Sequence, residues 1–271
     1  MPTAITLPDD PRLADYRRLK ERHLNAEGQR FVAESERVVR RLLASQLPVH
    51  SLLVTPPRLA ALGDLLAGID EARCPIFIAS QAVMDGVAGF HVHRGCLAIG
   101  ERPESAEAPA DARLIVALED LVDVDNLGSM VRNAAAFGAD ALLLSPRCAD
   151  PFYRKAIRVS LGSVFNLPII RARRWPEDLV ALRAERGFRV VGAVLGGGAV
   201  PLASVAPPPR TVVLLGAEGP GLSAAAIAAC DHRVTIPMSP GADSLNVATA
   251  AAIFLYHLTR GDPLQRSSPS P

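Results

Sequence analysis

The sequence predicts an α/β fold in two domains, and three observations indicate it. Of the 271 residues, 49% are hydrophobic and only 4% are aromatic, a composition that suits layered α/β packing. Short apolar runs alternate with segments of helical periodicity. A stretch at 101–111, ERPESAEAPAD, lacks large apolar residues and predicts a linker. We therefore expect one domain at 1–100, a linker at 101–111 and a second domain at 112–271.

The region before the linker fits a small α/β/α unit. Short apolar runs at 52–54, 76–78 and 96–99 are typical of buried strands, and the residues between them fit helices. Val38 and Leu42 lie on an apolar face beside arginines, which predicts an amphipathic helix.

The region after the linker repeats the alternation more strongly. Strands are predicted at 114–118, 141–144, 167–170, 188–194, 211–215 and 234–236. Helices are predicted at 127–137, where Gly138 suits the residue just beyond a helix end, and at 245–258. This order predicts a mainly parallel sheet covered on both faces. The tail at 263–271 is predicted to be disordered.

Composition excludes several classes of function. The formal net charge is +1, so an anionic partner must be met by a local patch. The N-terminus has no signal-peptide pattern and no apolar run approaches a membrane span, which predicts a cytoplasmic protein. His91 and His93 form a pair without nearby ligands, so no metal site is predicted. The cysteines are widely spaced and fit buried thiols better than disulfides or zinc ligands; they are Cys74, Cys96, Cys148 and Cys230.

The stretch LLGAEGPGLS at 214–223 looks like a phosphate loop but has the wrong spacing. Gly216, Gly219 and Gly221 give GxxGxG, which matches neither the P-loop nor the dinucleotide fingerprint. The glycine run at 196–198 predicts only a flexible turn. The sequence therefore shows no standard nucleoside triphosphate or dinucleotide site.

Polar loops follow three predicted strands. They lie at 119–126, before a helix that carries Arg132, at 216–221 and at 237–246. Ligands of such sheets bind beyond the carboxyl ends of the strands. Three loops that carry Arg, Glu, Ser and Asn therefore predict a shared crevice rather than three plain connectors.

Three segments resemble the motifs of the SpoU/TrmH-type RNA 2′-O-ribose methyltransferases of the SPOUT superfamily, in that family's order. They are NLGSMVRNAAAFGADALLL at 126–144, LLGAEGPGLS at 214–223 and IPMSPGADSLNVATAAAIFLYHL at 236–258. RFVAESERVVRRLL and GCLAIGERP, before the linker, resemble that family's L30e-like RNA-binding domain. The resemblance implies a SPOUT domain with a deep trefoil knot, S-adenosylmethionine as the methyl donor, and a homodimer formed through the knotted domain.

The resemblance also implies the site residues. Those for catalysis are Arg132, Asn126, Glu218, Ser244 and Asn246. Those for the donor pocket are Leu215, Gly216, Gly221, Ile236, Met238 and Leu245. The alternative explanation of these residues is structural. The donor-pocket residues would pack at strand ends, Asn126 would cap one helix, and Ser244 or Asn246 would cap the last helix.

Arg132 is the residue for which we predict the central catalytic role. In the family its counterpart is often proposed to activate the 2′-hydroxyl. Because a guanidinium has a pKa above about 12 and is a poor base, we favour a role in holding the RNA phosphate and stabilising the developing alkoxide. We expect Glu218 to orient Arg132 or a backbone amide.

The chain departs from the family pattern at three places. Val124-Asp125 precedes the motif asparagine where the family often has Asp-Pro, Asn133 replaces a frequent Thr, and Ala248 replaces a small hydroxyl residue. These departures bear on the subfamily and its target rather than on the reaction.

A basic stretch between residues 146 and 174 predicts an RNA surface. It holds seven basic residues and one acid, Asp150, with Phe152, Tyr153 and Trp175 in or beside it, which suits phosphate contact and base stacking. We expect RNA contacts from Arg147, Arg154, Lys155, Arg158, Arg173 and Arg174. A smaller cluster comprises Arg12, Arg17, Arg18, Lys20, Arg22 and Arg30. The alternative for either cluster is a solvated face.

Ribosomal RNA is favoured over tRNA, because an L30e-like domain suits a structured RNA loop. The alternatives are a tRNA ribose methyltransferase, a non-catalytic RNA-binding protein that retains the fold, and a small-molecule enzyme that uses the same crevice.

Overall fold

A computed structural model describes residues 2–17, 19, 29–92, 94–196 and 198–260. The tail at 263–271, Arg18, Lys20, Arg22 and His93 lie outside the described residues. The chain divides into two compact units. Among the described residues, the first unit comprises those up to Glu104 together with 151–166, and the second comprises 105–150 and those from Leu167 onward.

The strands of the described residues are Thr3–Ile5 (β1), Arg30–Glu34 (β2), Val49–Val54 (β3), Ile76–Ala79 (β4), Cys96–Glu101 (β5), Leu114–Leu118 (β6), Ala141–Leu144 (β7), Ile169–Arg171 (β8), Arg189–Ala193 (β9), Val200–Pro201 (β10), Thr211–Leu215 (β11) and His232–Thr235 (β12). The α-helices are Glu36–Leu43 (α1), Pro56–Ala61 (α2), Gly63–Leu66 (α3), Gln81–Ala88 (α4), Val124–Ala136 (α5), Arg154–Val159 (α6), Glu177–Arg186 (α7), Ala224–Ala228 (α8) and Val247–Thr259 (α9). Short 3-10 turns span Pro11–Tyr16, Ser163–Asn166 and Leu202–Ser204.

The first unit is built on a mixed five-stranded sheet of order β1-β4-β3-β5-β2. β5 runs antiparallel to both of its neighbours, β3 and β2. The core on this sheet includes Leu13, Tyr16, Leu53 and Met84, and their burial supplies the hydrophobic driving force for the unit. The L30e-like character of this region stays a prediction.

The segment 151–166 belongs to the first unit although it lies between two strands of the second. Aromatic packing explains this, since the Phe31 ring lies 5.2 Å from the Phe152 ring and 5.3 Å from the Phe165 ring. Such pairs add to the free energy of area burial. Arg154 of the same segment donates to Glu34 at 2.7 Å. The chain therefore passes between the units three times, at 104–105, 150–151 and 166–167.

The second unit is built on a seven-stranded sheet of order β10-β12-β9-β11-β6-β7-β8. Every pairing in it is parallel, so the predicted mainly parallel sheet is confirmed. All five residues of β6 and all five of β11 are buried, as expected for central strands of a parallel sheet. The trefoil knot concerns chain threading rather than strand order, and it stays a prediction.

Several helix ends differ from the sequence expectation. α5 begins at Val124, earlier than predicted, because the Asp123 side chain accepts from the Asn126 backbone N–H at 2.8 Å and so caps the helix. The expectation that Asn126 caps this helix is therefore wrong. Gly138 has φ of +70° just beyond the helix, as predicted. Asn246, and not Ser244, caps α9 by accepting from Ala248 N and Thr249 N.

Within the described part of the chain, no helix has the length and apolar character needed to cross a membrane. Across the same residues, no group of three or more His, Cys, Asp or Glu side chains could hold a metal ion. The four cysteines are free thiols.

Candidate functional site

The candidate site is a cavity of about 450 Å³ at the carboxyl edge of the seven-stranded sheet. Its walls come from the residues that follow β9, β11 and β12 and from the start of α9. This is the edge at which open parallel sheets bind ligands, and the volume lies in the range of small-molecule pockets.

The six residues predicted for the donor pocket all line this cavity: Leu215, Gly216, Gly221, Ile236, Met238 and Leu245. Three of the residues predicted for catalysis, Glu218, Ser244 and Asn246, line it too. Sequence reasoning missed Val194, Leu195 and Phe254, which also contribute. A signal for the first two was present, because they directly follow β9 and so lie at the same strand edge as the other loops.

The glycine loop, residues 216–222, is a tight hairpin that glycine makes possible at three positions. Ala217 and Gly221 form an antiparallel bridge, with Gly221 N donating to Ala217 O at 3.0 Å. A Cβ atom on Gly216 would lie 2.3 Å from the Gly221 carbonyl carbon. Gly219 and Gly221 have φ of +85° and +70°, which side-chain-bearing residues rarely adopt. The loop thus presents main-chain groups to the cavity at close range.

Asn126, Glu218 and Asn246 form one polar cluster, and the last two also line the cavity. Asn246 Nδ2 donates to Asn126 Oδ1 at 2.8 Å and to Glu218 Oε1 at 3.1 Å. The remaining acceptor, Asn246 Oδ1, caps α9. The oxygen of the Asn246 side-chain amide therefore stabilises the helix, and its nitrogen holds the polar cluster together. Glu218 was expected to orient Arg132 or a backbone amide; its carboxylate instead accepts from the Asn246 side chain.

Arg132 is exposed on α5, two helical turns beyond the start of that helix. Among the described residues, its guanidinium forms no hydrogen bond or ion pair. Arg132 is not part of the cavity lining, but it lies on the helix that contributes Asn126 to the cluster. An exposed cation held on a rigid helix is available to an external anion.

Two of the departures from the family pattern touch each other. Asn133 Nδ2 donates to the Ala248 carbonyl oxygen at 2.8 Å. This bond joins α5 to α9, which pack together. Asn126 and Asn133 are seven residues apart and so lie on one face of α5. That face therefore holds the start of α9 through two side-chain bonds, one from each asparagine.

Glu119 is a residue that sequence reasoning did not single out. It directly follows β6 and is only 3% exposed. Its carboxylate accepts from Trp175 Nε1 at 2.7 Å, from Ser223 N at 2.8 Å and from Ser223 Oγ at 2.7 Å. Buried carboxylates are stable only when such donors satisfy them. Its position at a strand end in a polar loop was the signal available in the sequence.

The residues predicted to contact RNA divide between the two units. Arg147 follows β7, and Arg173 and Arg174 follow β8, so these three lie at the carboxyl edge of the second sheet. All three are exposed. Arg154, Lys155 and Arg158 lie on α6 of the first unit. Arg154 is engaged there by Glu34 and by the Phe90 ring, 4.6 Å from its guanidinium carbon.

Asp120 links the ends of β6 and β7. It forms an ion pair with Arg147 and accepts from Ser145 Oγ at 2.9 Å. The Arg147 guanidinium, helped by Ser145, holds the pKa of Asp120 below its ordinary value. The carboxylate stays charged at neutral pH and orients Arg147, whose side chain is 81% exposed.

Comparison with known proteins gives the family. Residues 113–256 match the SpoU rRNA Methylase family. The chain is 45% identical, over 93% of its length and 90% of the relative, to a Mycobacterium bovis protein named as an uncharacterized tRNA/rRNA methyltransferase. It is 32% identical, over 91% of its length and 95% of the relative, to Bacillus subtilis 23S rRNA (guanosine(2553)-2′-O)-methyltransferase RlmP.

A solved structure agrees with the match. The AdoMet-bound rRNA methyltransferase from Sinorhizobium meliloti superposes with a TM-score of 0.80 at 27% identity, over 95% of this chain and 97% of that one. The parallel sheet, the cavity at its carboxyl edge and the sequence matches all agree. The chain belongs to the SpoU rRNA Methylase family.

Proposed function

We propose that this protein transfers a methyl group from S-adenosylmethionine to a ribose 2′-hydroxyl of RNA, with ribosomal RNA as the preferred class. One observation carries the proposal: a cavity lined by the glycine loop opens beside the cluster of Asn126, Glu218 and Asn246. Membership of the family supports it, and so does the similarity to a named 23S rRNA 2′-O-methyltransferase. We also propose that the protein acts in the cytoplasm.

The cavity fits S-adenosylmethionine in size and chemistry. Leu215, Ile236 and Leu245 offer apolar walls, and the loop at Gly216 offers main-chain donors and acceptors. Glu218 and Asp243 place two carboxylates on the lining, which suits a ligand that carries positive charge. When bound, the ligand supplies an electrophilic methyl group.

The chain's own residues would position the acceptor and stabilise charge. Loss of the 2′-hydroxyl proton to solvent leaves negative charge on oxygen, and Arg132 is the exposed cation nearest in sequence to Asn126 of the cluster. A guanidinium stabilises such an oxyanion and holds a phosphate by paired hydrogen bonds. Asn246 keeps Glu218 and Asn126 in place. The polar side chains that would surround the acceptor are thus held in one geometry.

The sheet order supports an RNA path across the carboxyl edge. The cavity lies at β12, β9 and β11, the loop before α5 follows β6, and Arg147, Arg173 and Arg174 follow β7 and β8. Donor pocket, polar cluster and basic residues thus succeed each other along one edge. Phosphates bound at β7 and β8 would lead the ribose toward the polar cluster.

Three alternative functions would use some of the same features. A tRNA ribose methyltransferase would use the same site with a different RNA. A non-catalytic RNA-binding protein would not require the bonds that hold Glu218 to Asn246, and a small-molecule enzyme would not require arginines along the sheet edge. The polar cluster and the basic edge together favour an RNA methyltransferase.

We further propose that the protein is a homodimer formed through the second unit. Ile253 and Tyr256 lie three residues apart on α9 and are 38% and 64% exposed. Val122 and Leu245, which precede α5 and α9, are exposed too. Large apolar side chains on one helix face are typical of a protein interface. Sedimentation of the wild type should give twice the chain mass, and Tyr256→Glu should shift the protein toward monomer.

Incubation with radiolabelled donor tests the activity and the RNA class together. Bulk rRNA and bulk tRNA from a strain that lacks this protein would be supplied separately at equal nucleotide concentration. The proposal predicts label in rRNA well above label in tRNA. Preferential labelling of tRNA would favour the tRNA alternative, and no label in either would favour a non-catalytic protein.

A further inference from the structure

We propose that Glu119 is a positioning residue that holds the glycine loop in the shape that binds the methyl donor. The inference rests on the proposed function, because it concerns the wall of the same cavity. Glu119 itself is not among the residues that line the cavity. It would act through the loop.

Glu119 fixes both ends of the glycine loop. Its backbone N–H donates to the Leu215 carbonyl at 2.9 Å, where the loop leaves β11. Its carboxylate accepts from the N–H and the hydroxyl of Ser223 at 2.8 and 2.7 Å, where the loop ends. One residue thus closes the loop across its base.

The tip of the loop is exposed. Glu218, Gly219, Pro220 and Gly221 are exposed, and the internal bridge joins Ala217 to Gly221. Exposed backbone with little buried apolar surface is the part of a fold that opens most readily. Besides the bond from Asn246 to Glu218 and the buried side chain of Leu222, the anchor at Ser223 limits how far the wall at Gly216 and Gly221 can move.

The anchor depends on a carboxylate rather than on any polar group. Oε1 accepts from Ser223 Oγ and Trp175 Nε1, while Oε2 accepts from Ser223 N. A glutamine has one acceptor oxygen and one donor NH₂ group. In either orientation its NH₂ group would face at least one of these donors, so Glu119→Gln keeps the volume and weakens the anchor.

A purely structural role for Glu119 makes a different prediction. If Glu119 only satisfies buried donors, its loss lowers stability without a selective effect on donor affinity. Asp231 gives a matched control, because it also accepts from a backbone N–H, that of Val190 at 2.8 Å. It lies beside the start of β9 at the amino edge of the same sheet. Asp231→Asn makes the same chemical change far along the strands from the cavity.

The test measures S-adenosylmethionine binding by calorimetry, the melting temperature, and amide hydrogen exchange at Gly221 and Ser223. We expect Glu119→Gln to raise the dissociation constant about tenfold or more and to speed exchange at both amides. Asp231→Asn should leave donor affinity within twofold of wild type, whatever its melting temperature. Should Glu119→Gln fail to fold, Ser223→Ala replaces it, with an expected weakening of about threefold or more.

The outcomes separate this inference from the proposed function. A wild type that binds no donor contradicts the proposed function. A wild type that binds donor, with Glu119→Gln and Ser223→Ala equal to it, overturns the role of Glu119. Equal weakening by Asp231→Asn and Glu119→Gln also overturns it, because the effect would then be general destabilisation.

Discussion

Asn246 donates a hydrogen bond of 2.8 Å to Asn126, a residue 120 positions earlier in the chain. The bond joins the start of α9 to the first turn of α5, and Glu218 of the glycine loop completes the cluster. Three segments distant in sequence thus meet through one side-chain amide. Each of the three residues lies in a segment that resembles a different motif of the family. The three motifs therefore contribute side chains to one site.

Asn246→Asp should separate the role of this residue in the site from its role in the fold. Aspartate still accepts from Ala248 N and Thr249 N, so the cap of α9 and the melting temperature should be nearly unchanged. It cannot donate to Asn126, and its charge faces Glu218. We expect kcat/KM to fall about 10- to 100-fold. Wild-type kcat/KM in this variant would show that the cluster does not serve the reaction.

Gly216→Ala tests the close approach within the glycine loop. The new Cβ would meet the Gly221 backbone at 2.3 Å, a clash that only backbone movement can relieve. Donor binding by calorimetry should weaken at least tenfold. Gly63→Ala in α3 is the control, because a Cβ there has no atom within 4 Å and alanine favours a helix. Equal donor affinity in the two variants would contradict this account of the loop.

Arg173→Gln and Arg174→Gln test the basic edge of the sheet. Each loss of a phosphate contact should weaken RNA binding and reduce the salt dependence of log Kd by about one charge. Arg189→Gln is the matched control, since Arg189 is an exposed arginine at the amino edge of the same sheet. Filter binding across a salt series measures all three. An Arg189 effect as large as the others would mean that the carboxyl edge is not a specific RNA surface.

The pair of Asp120 and Arg147 predicts a pH dependence. Its lowered pKa means that Asp120 favours the folded state above the ordinary carboxyl value of 3.8 and loses this contribution as pH falls through the folded pKa. Arg147→Ala should raise the pKa of Asp120, as carboxyl NMR can follow. The difference in stability between variant and wild type should be largest near neutral pH and shrink below about pH 4. A difference that grows toward low pH would contradict the pairing. The effect should be small, because Arg147 is largely exposed.

Sequence predicted the strands whose apolar runs are unbroken. Leu114–Leu118, Ala141–Leu144 and Thr211–Leu215 have the predicted bounds, because buried parallel strands are apolar throughout. β2 was missed. Its segment, RFVAE, begins and ends with charged residues, and its partner β5 lies far along the chain. Strand pairing of that kind depends on tertiary contacts that a local pattern does not contain.

The sequence predicts those parts of the site that short motifs specify. It does not predict those parts that depend on contacts between distant residues. The glycine spacing and the SLN motif indicated which residues line the cavity. The Asn246 bonds and the anchor at Glu119 join residues up to 120 positions apart, and no local pattern encodes them. The packing of 151–166 with Phe31 is likewise a long-range aromatic contact. This packing places α6 and its arginines in the first unit.

The central claim is most directly tested by mass spectrometry of nucleosides from RNA of a strain that lacks this protein, after incubation with the purified protein and S-adenosylmethionine. The account predicts one new 2′-O-methylated nucleoside with wild type. It predicts at least a hundredfold less with Arg132→Ala, a variant that should still bind the donor with wild-type affinity. Methylation on a base instead of the ribose, or wild-type turnover by Arg132→Ala, would contradict it.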